Sequence, residues 1–272
     1  MNTQPRCTEL DDRLTLVRGA EGVFLCPRHD RYVGRSLLTY GEYCAAEAAL
    51  LRRLIAPGAV VVEVGANIGA HTVVLARQAG PQGRVLAFEP QPQLYQILCA
   101  NLVLNDLSNV TPERCALGEQ DGELAMPVLD LSRDGNFGGA ALGSGEAVTP
   151  VKRLDDLGLD SCQLIKADVE GMEAAVVRGG AELIARTRPV LYLEADRREA
   201  VHELLALLSD MSYEAWWFRI PMFVANNAFG VTEDIFPGVV HLNLMCFPAE
   251  AAITPPGFTR ATSADQVAAF RE

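Results

Sequence analysis

Short apolar runs alternate along most of the chain with longer segments in which apolar residues recur at helical spacing. Runs such as Val60–Val64, rich in β-branched residues, are typical of parallel strands that are buried on both faces. The predicted strands are Ala59–Val64, Arg84–Phe88, Val110–Cys115, Leu164–Ala167, Val190–Glu194, Tyr213–Phe218 and Val239–Phe247. The predicted helices between them are Ala70–Ala79, Leu94–Leu104, Gly171–Arg186 and Ala200–Leu208. This alternation predicts a doubly wound α/β fold, with a mostly parallel seven-stranded sheet and helices on both of its faces.

The segments on either side of this pattern form separate regions. Residues 1–58 predict a small N-terminal β/α lead-in, residues 59–248 the main α/β domain, and residues 249–272 a C-terminal tail. The elements predicted in the lead-in are strands at Leu14–Val17 and Val23–Cys26 and a helix over Glu42–Ile55. Inside the main domain, the alternation is interrupted from Leu117 to about Leu159, a segment that predicts a hairpin or a lid, and its Gly-rich stretch Gly135–Gly145 is the candidate for a lid over the cofactor.

Composition narrows the range of partners. With 23 Lys and Arg against 35 Asp and Glu, the formal net charge is −12, which argues against nucleic acid as a ligand. The seven cysteines include no CxxC pair, so we expect a reduced, cytoplasmic protein. No apolar run approaches the roughly 20 residues of a membrane span. The polar first residues lack the apolar core of a signal peptide, so neither membrane insertion nor secretion is expected.

The most informative stretch is the turn that follows the first strand of the main domain. Ligands of open α/β sheets bind at such turns, beyond the carboxyl ends of the strands. A dinucleotide site needs G-x-G-x-x-G, whose second glycine lets the backbone approach a pyrophosphate, and here that position is Asn67. The turn therefore favours a ligand without phosphate, such as S-adenosylmethionine. Glu63, at the end of the strand, is placed to face the ammonium of that ligand.

A second carboxylate supports the same interpretation. Glu89 ends the second strand of the main domain, about two dozen residues after the turn. In folds of this kind a carboxylate at that position accepts hydrogen bonds from both ribose hydroxyls. Nicotinamide and S-adenosylmethionine sites share this feature, so Glu89 alone does not distinguish the two ligands. Glu89 together with Asn67 favours S-adenosylmethionine.

Five stretches in order give a family resemblance: VVEVGANIGAHTVVLA, VLAFEP, CALGEQDG, LIKADVEGMEAAVVRGGAELI and PVLYLEAD. The chain resembles the FkbM-type methyltransferases from about residue 40 to residue 247, most strongly at Ile165–Glu173. The resemblance implies a class I, Rossmann-like methyltransferase that uses S-adenosylmethionine. The positions that match the cofactor site of the family are Glu63, Gly65, Asn67, Gly69, Glu89, Ala116 (beside the adenine) and Asp168.

Transfer of a methyl group to a hydroxyl requires a base that removes the proton. The candidates are Asp168, Glu170, Glu194, Asp196, His71 and His241. Asp168, Glu194 and His241 are the residues that we predict to be catalytic. The alternatives left open are that Asp168 caps the next helix, that Glu170 and Glu173 only complement its dipole, and that His241 is a core residue.

The predicted activity is O-methylation of a hydroxyl on a small molecule, sugar or secondary metabolite. Two alternatives stay open, a non-catalytic protein that binds S-adenosylmethionine and a magnesium-assisted O-methyltransferase. In the second, Asp168, Glu194 and Asp196 supply oxygen ligands suited to a hard cation, although nothing in their spacing requires a metal. The expected partner is a small-molecule acceptor, with no nucleic acid or membrane, and a homodimer is left open.

Overall fold

The computed structural model describes residues 5–139 and 143–271. The chain begins with an antiparallel sheet of three strands in the order β1-β2-β3, followed by two helices. These elements are β1 (Cys7–Glu9), β2 (Leu14–Gly19), β3 (Gly22–Pro27), α1 (Val33–Tyr40) and α2 (Ala45–Leu54). The pattern analysis did not predict β1 and α1, and the helix that it placed over Glu42–Ile55 begins at Ala45 and ends at Leu54.

The rest of the chain alternates strands and helices. Its strands are β4 (Val60–Val64), β5 (Arg84–Phe88), β6 (Val110–Glu113), β7 (Ala116–Leu117), β8 (Gly122–Met126), β9 (Ala147–Lys152), β10 (Leu164–Ala167), β11 (Val190–Glu194), β12 (Tyr213–Pro221), β13 (Val240–Pro248) and β14 (Thr259–Arg260). Its helices are α3 (Ala70–Ala79), α4 (Pro92–Leu104), α5 (Glu173–Arg178), α6 (Ala181–Thr187), α7 (Arg198–Asp210) and α8 (Gln266–Arg271). No helix in the described part of the chain is long and apolar enough to span a bilayer.

The central sheet has the order β14-β12-β13-β11-β10-β4-β5-β6. The five strands from β11 to β6 in this order are parallel, whereas β13 is antiparallel to β11 and pairs antiparallel with β12. After β4 the chain continues outward to β5 and β6, and it then returns to place β10 on the other side of β4. The carboxyl ends of β4 and β10 therefore border a topological switch point, where ligands of such sheets bind.

Eight strands form this sheet, so the prediction of seven was wrong by one. The additional strand is β14, which lies in the predicted tail and pairs antiparallel with β12 at Trp216 and Trp217. Two residues are too few to give a period-two pattern in the sequence. The same segment packs Ala264 and Val267 into the core.

Helices cover both faces because alternate residues of the buried strands point to opposite sides. On one face, Val61 of β4 packs with Leu51 of α2 and Leu75 of α3. On the other face, Val62 packs with the helices from α5 to α8. The first face carries the polar side chains of the site described below.

One local prediction, that of the helix after β10, was wrong. The helix predicted over Gly171–Arg186 is divided into α5 and α6 at Gly179 and Gly180. A Cβ on Gly179 would lie 1.9 Å from the carbonyl oxygen of Gly118, so the chain can pass there only without a side chain. The interruption before β10 holds a second small sheet, with the order β7-β9-β8, in which β8 and β9 are the antiparallel pair expected of the predicted hairpin.

Candidate functional site

A cavity of about 240 Å³ opens at the switch point of the central sheet. Of the residues proposed from the sequence, Glu63, Gly65, Asn67, His71, Glu89, Asp168, Glu170, Glu194, Asp196 and His241 line it. It is also lined by Tyr32, Val33, Tyr43, Ala66, Ala70, Asn136, Gly138, Gly139, Lys166, Val239 and Val240. The structure thus brings together residues from five strands or strand ends and from the N-terminal region.

The turn after β4 is built on left-handed backbone. Gly65, Asn67 and Gly69 have φ angles of 83°, 52° and 87°. A Cβ on Gly65 would lie 2.0 Å from the carbonyl oxygen of Asp168, so glycine lets the turns after β4 and β10 touch. Gly69 does not line the cavity; it lies immediately before α3, in a conformation that favours glycine.

Glu89 is held at the end of β5 by two backbone amides. The N–H of Asn67 donates to its Oε2 and the N–H of Gln91 to its Oε1, each at 2.8 Å. The side chain is only 5% exposed, and burial raises its pKa to about 7 although both amides oppose the rise. Since a carboxylate oxygen accepts more than one hydrogen bond, both oxygens can still accept from a pair of ligand hydroxyls.

Below the cavity, the face of the sheet that packs against α2 and α3 carries a row of buried polar side chains. Glu63 and Lys166 are register partners on β4 and β10. The hydroxyl of Thr72 on α3 donates to Glu63 Oε2 at 2.6 Å. Lys166, 2% exposed, places its Nζ 3.4 Å from Asp168 Oδ2. Burial lowers the pKa of Lys166, but the carboxylates of Asp168, Glu47 and Glu63 outweigh it and raise the pKa, so the ammonium is retained.

The acids at the ends of β10 and β11 differ in their surroundings. Glu170 is ion-paired with Arg197. Glu194 Oε2 has no hydrogen-bond partner in the part of the chain that the structure describes. Burial, followed by the charge of Asp168, raises the pKa of Glu194 well above its ordinary value. The uncharged form of the Glu194 carboxyl group is therefore favoured more than that of an exposed glutamate, and its role as a base stays a prediction.

The capping alternatives are settled by the contacts around α5. Glu173 Oε1 accepts hydrogen bonds from the backbone N–H of Val169 at 2.9 Å and of Gly171 at 3.3 Å. Glu173 therefore stabilises the turn between β10 and α5. Asp168 makes no cap of α5, whose N-cap position is Met172, and its carboxylate faces Lys166.

Two histidines line the cavity beside Tyr43. The Tyr43 ring centroid lies 5.2 Å from that of His71 and 6.0 Å from that of His241. His241 Nε2 contacts Met222 Sδ, and burial lowers the pKa of His241. Burial, with the charges of Lys166 and His241, also lowers the pKa of His71. Both imidazoles are therefore neutral at pH 7 and able to accept a proton.

A smaller pocket of about 50 Å³ adjoins the cavity on the side of Glu89. Its lining includes Gln91, Met126, Phe137 and Val169. The Oε1 of Gln91 is buried without a hydrogen-bond partner among the described residues. Most of the pocket wall is apolar, which suits a largely apolar group.

The first residues of the Gly-rich stretch are hydrogen-bonded to the N-terminal region, and whether the stretch acts as a lid stays a prediction. The N–H of Arg31 donates to Gly135 O at 2.8 Å, and the N–H of Phe137 to Asp30 Oδ1 at 3.2 Å. Gly138 and Gly139 then reach the cavity wall. Residues 140–142 of the stretch lie outside the described residues.

Two features of the site differ from the sequence proposals. Ala116 is buried in β7 and does not line the cavity, so its contact with a cofactor stays a prediction. Lys166 and Glu47 were not proposed, although each gave a signal: a charged residue among the apolar residues of a buried strand or helix face is unusual unless it is paired. Over residues 5–139 and 143–271, no three His, Cys, Asp or Glu side chains form a group that could hold a metal ion.

Comparison with known proteins adds to these observations. The sequence profile of the methyltransferase FkbM domain matches residues 63–215, more than half of the chain. Methyltransferase sdnD of Sordaria araneosa is 32% identical, in a match covering 44% of this chain and 59% of that protein. Methyltransferase 1 of Beauveria bassiana (strain ARSEF 2860) is 33% identical, over 44% of this chain and 57% of that protein. The chain therefore spans less than two thirds of the length of these curated relatives.

Among solved structures, a methyltransferase FkbM from Methylobacillus flagellatus KT superposes with a TM-score of 0.44 at 17% identity. That match covers 77% of this chain and 52% of the other.

Proposed function

Because this chain belongs to the FkbM methyltransferase family, we propose that it transfers a methyl group from S-adenosylmethionine to a hydroxyl group of a small molecule. The observation that carries the proposal is the cavity at the switch point of the sheet, with Glu89 fixed at its edge. The family membership supports a methyltransferase, and the contents of the cavity support the choice of a hydroxyl acceptor.

The residues present fit the adenosyl group. Glu89 is positioned for the two ribose hydroxyls, because the backbone amides of Asn67 and Gln91 fix its carboxylate from behind. The adjoining pocket offers Met126 and Phe137 as apolar walls for an adenine. Asn67 in place of a glycine argues for this ligand over a dinucleotide.

The charge of the cavity fits the other end of the same ligand. S-adenosylmethionine carries a cationic sulfonium and a cationic ammonium, and Glu63 and Asp168 line the cavity near the turn after β4. When bound, S-adenosylmethionine supplies a methyl group on a positively charged sulfur, which is already a good leaving group. The chain itself has to orient an acceptor oxygen, exclude water and accept one proton.

A hydroxyl acceptor must lose its proton during transfer, and the cavity holds groups for that task. His71 and His241 are neutral bases at pH 7, and Asp168 lines the same wall. Glu194 lines the same cavity, and because burial raises its pKa, its carboxyl group can also offer a hydrogen bond to an acceptor oxygen. These groups support O-methylation.

Calorimetric titration tests the cofactor. We expect S-adenosylmethionine and S-adenosylhomocysteine to bind and NAD not to bind. Glu89→Gln should weaken binding of S-adenosylhomocysteine by about 10- to 100-fold, because a bidentate, charge-assisted contact is lost. The matched control is Glu123→Gln, at an exposed position of β8, which should bind as the wild type does. Binding of NAD alone would overturn the methyltransferase proposal.

Incubation with S-adenosylmethionine labelled on its methyl group, and a panel of sugars, phenols and amines, tests the acceptor. Label recovered on oxygen supports the proposal, and label recovered only on nitrogen contradicts it. Tight binding of S-adenosylhomocysteine with no transfer to any member of the panel would favour the non-catalytic alternative. Activity lost on chelation and restored by Mg²⁺ would favour the metal-assisted one.

A further inference from the structure

Residues 135–139 of the Gly-rich stretch, here called the wall segment, form a wall that the cavity and the small pocket share. Phe137 lines the small pocket, Asn136 and Gly139 line the cavity, and Gly138 lines both. The wall segment lies outside the helices and strands. Ordering such backbone costs conformational entropy, so contacts with other parts of the chain must hold it in one position.

A buried carboxylate of the N-terminal region makes one of these contacts. Oδ1 of Asp30 accepts a hydrogen bond from the backbone N–H of Phe137 at 3.2 Å, and Oδ2 accepts one from the backbone N–H of Gly34 in α1 at 2.6 Å. Asp30 is 3% exposed. Burial raises its pKa, and both amides oppose the rise because they favour the ionised group. The carboxylate therefore fixes the amide of Phe137 relative to α1.

The neighbouring backbone holds the wall segment independently of this carboxylate. The N–H of Arg31 donates to Gly135 O at 2.8 Å, and the N–H of Gly135 donates to His29 O at 3.0 Å. The side chain of Phe137 is 4% exposed and packs in the apolar cluster of the N-terminal region. These contacts do not need the side chain of Asp30. We therefore expect an Asp30 variant to fold and to change chiefly the position of the wall segment beyond Gly135.

The wall segment also lies against the turn that follows β4. A Cβ on Gly138 would lie 2.6 Å from Nδ2 of Asn67, so the backbone of Gly138 is packed directly on that side chain. The backbone N–H of Asn67 in turn donates to Glu89. The wall segment thus connects Asp30 with the residues that the proposed function assigns to the adenosyl group.

From these contacts we propose that Asp30 is a positioning residue of the cofactor site, which it serves by fixing the wall segment beside the adenine. The inference rests on the proposed function, because it takes the small pocket as the site of the adenine. Asp30 itself lines neither pocket. The profile of the family begins at residue 63, so the inference gives the N-terminal region a part in a site that the family match does not cover.

Asp30→Asn is the informative substitution because it keeps the shape of the side chain and removes one acceptor. An amide group has one oxygen that accepts and one NH₂ that donates. The oxygen is expected to stay at the N–H of Gly34, where the contact is shorter, so the NH₂ then meets the N–H of Phe137. Two donors facing each other repel, and the wall segment should move away from its position beside the adenine.

Calorimetric titration measures the consequence. Asp30→Asn should weaken binding of S-adenosylhomocysteine by about 5- to 20-fold, as expected for the loss of one buried hydrogen bond. Binding of adenosine, measured by competition, should weaken by the same factor, because the wall segment faces only the adenosyl part of the ligand. With an acceptor found in the labelling panel, KM for S-adenosylmethionine should rise similarly while kcat changes by less than about threefold. A merely structural role would not divide the effect in this way.

Asp155→Asn is the matched control, because Asp155 is also a buried carboxylate that holds a distant segment. Its Oδ1 accepts from the N–H of Leu183 at 2.8 Å and its Oδ2 from the N–H of Glu182 at 3.3 Å, and it lines neither pocket. We expect Asp155→Asn to be less stable in urea and to bind S-adenosylhomocysteine as the wild type does. Equal losses of binding in the two variants would overturn the proposal, since lost stability would then be the cause.

Hydrogen exchange of the wild-type chain tests the wall segment without any substitution. Saturating S-adenosylhomocysteine should slow exchange of the amide of Phe137 by at least about tenfold, because an occupied pocket suppresses local opening of its wall. The amide of Leu183, which bonds to Asp155 away from both pockets, should slow by less than about twofold. Equal exchange at Phe137 with and without the ligand would contradict a wall beside the adenine.

The two proposals fail in different ways. If the wild type binds neither S-adenosylmethionine nor S-adenosylhomocysteine, the proposed function fails, and the role of Asp30 fails with it. If the wild type binds S-adenosylhomocysteine and Asp30→Asn binds it within about twofold, only the role of Asp30 is wrong. If Asp30→Asn lowers kcat and leaves the dissociation constant unchanged, Asp30 affects the transfer step, and its assignment to the cofactor site is wrong.

Discussion

Lys166 shows how one residue sets the charge of the site. It is the one Lys or Arg among the described residues that line the cavity, and it is almost fully buried. Its ammonium lies among the carboxyl groups of Asp168, Glu47 and Glu63. A buried cation of this kind is tolerated only because the acids compensate it, and each acid depends on the cation in turn.

We therefore expect Lys166→Met to destabilise the protein by about 3–5 kcal/mol at pH 7, since it leaves buried acids without a counter-charge. Urea denaturation of the wild type and the variant measures the change. The matched control is Lys152→Met, which removes a half-exposed ion pair with Glu113 and should cost less than about 1 kcal/mol. Equal losses in the two variants would contradict the compensating role of Lys166.

At the level of elements, the site depends on the contact between the turns after β4 and β10. Gly65→Ala adds a Cβ 2.0 Å from the carbonyl oxygen of Asp168, in backbone with a φ of +83°. Gly58→Ala is the matched control, because its φ is +86° and nothing lies within 4 Å of the added Cβ. Both variants should be destabilised by about 1–2 kcal/mol, because alanine is unfavourable in left-handed backbone.

Only Gly65→Ala should also move the two turns apart. We expect it to weaken binding of S-adenosylhomocysteine by at least about tenfold in calorimetry, while Gly58→Ala binds as the wild type does. Unchanged binding by Gly65→Ala would show that the contact between the turns is not needed for the cofactor site.

The elements of this site could be predicted where their signal is local. The run Val60–Val64 and the turn after it identify a strand, a ligand turn and a helix, because burial and left-handed backbone restrict residue type strongly. Glu89 follows from its place at the end of the next strand. The same reasoning fails for Glu47, because its interaction with the charge of Lys166 joins α2 to β10, two elements that are far apart in the sequence.

The break between α5 and α6 had a local signal that was ambiguous. A pair of glycines weakens a helix without ending it, and the reason for the break here is the chain at Gly118 and Leu154, which passes close to Gly179 and Gly180. Tertiary contacts of this kind decide where a helix ends, and the hydrophobic periodicity of the sequence does not reveal them.

Across the whole molecule, burial of acids couples stability to pH. Burial raises the pKa of Glu47 to about 8, and those of Glu63, Glu89 and Glu173 to about 7. Their unfolded-state values lie near the ordinary pKa of glutamate, so between pH 5 and 8 the folded chain holds protons that the unfolded chain has released. Stability falls with rising pH wherever the folded state binds more protons.

We expect the free energy of unfolding, measured by urea denaturation, to decrease between pH 7 and 8 by roughly 1 kcal/mol or more, since each retained proton contributes about 1.4 kcal/mol per pH unit. The histidines oppose this trend only weakly, because His71 and His241 have lowered pKa values and free histidine is already mostly neutral above pH 7. Lys166 is protonated in both states over this range, because its folded pKa is raised.

Glu47→Gln tests the source of this trend, since it should make the decrease shallower, while Glu123→Gln, at an exposed position, should leave it unchanged. A stability that rises between pH 7 and 8 would show that these acids are ionised at no cost in the folded protein. Saturating S-adenosylmethionine should reduce the decrease in the wild type, because a cationic ligand favours the ionised carboxylates that line its cavity.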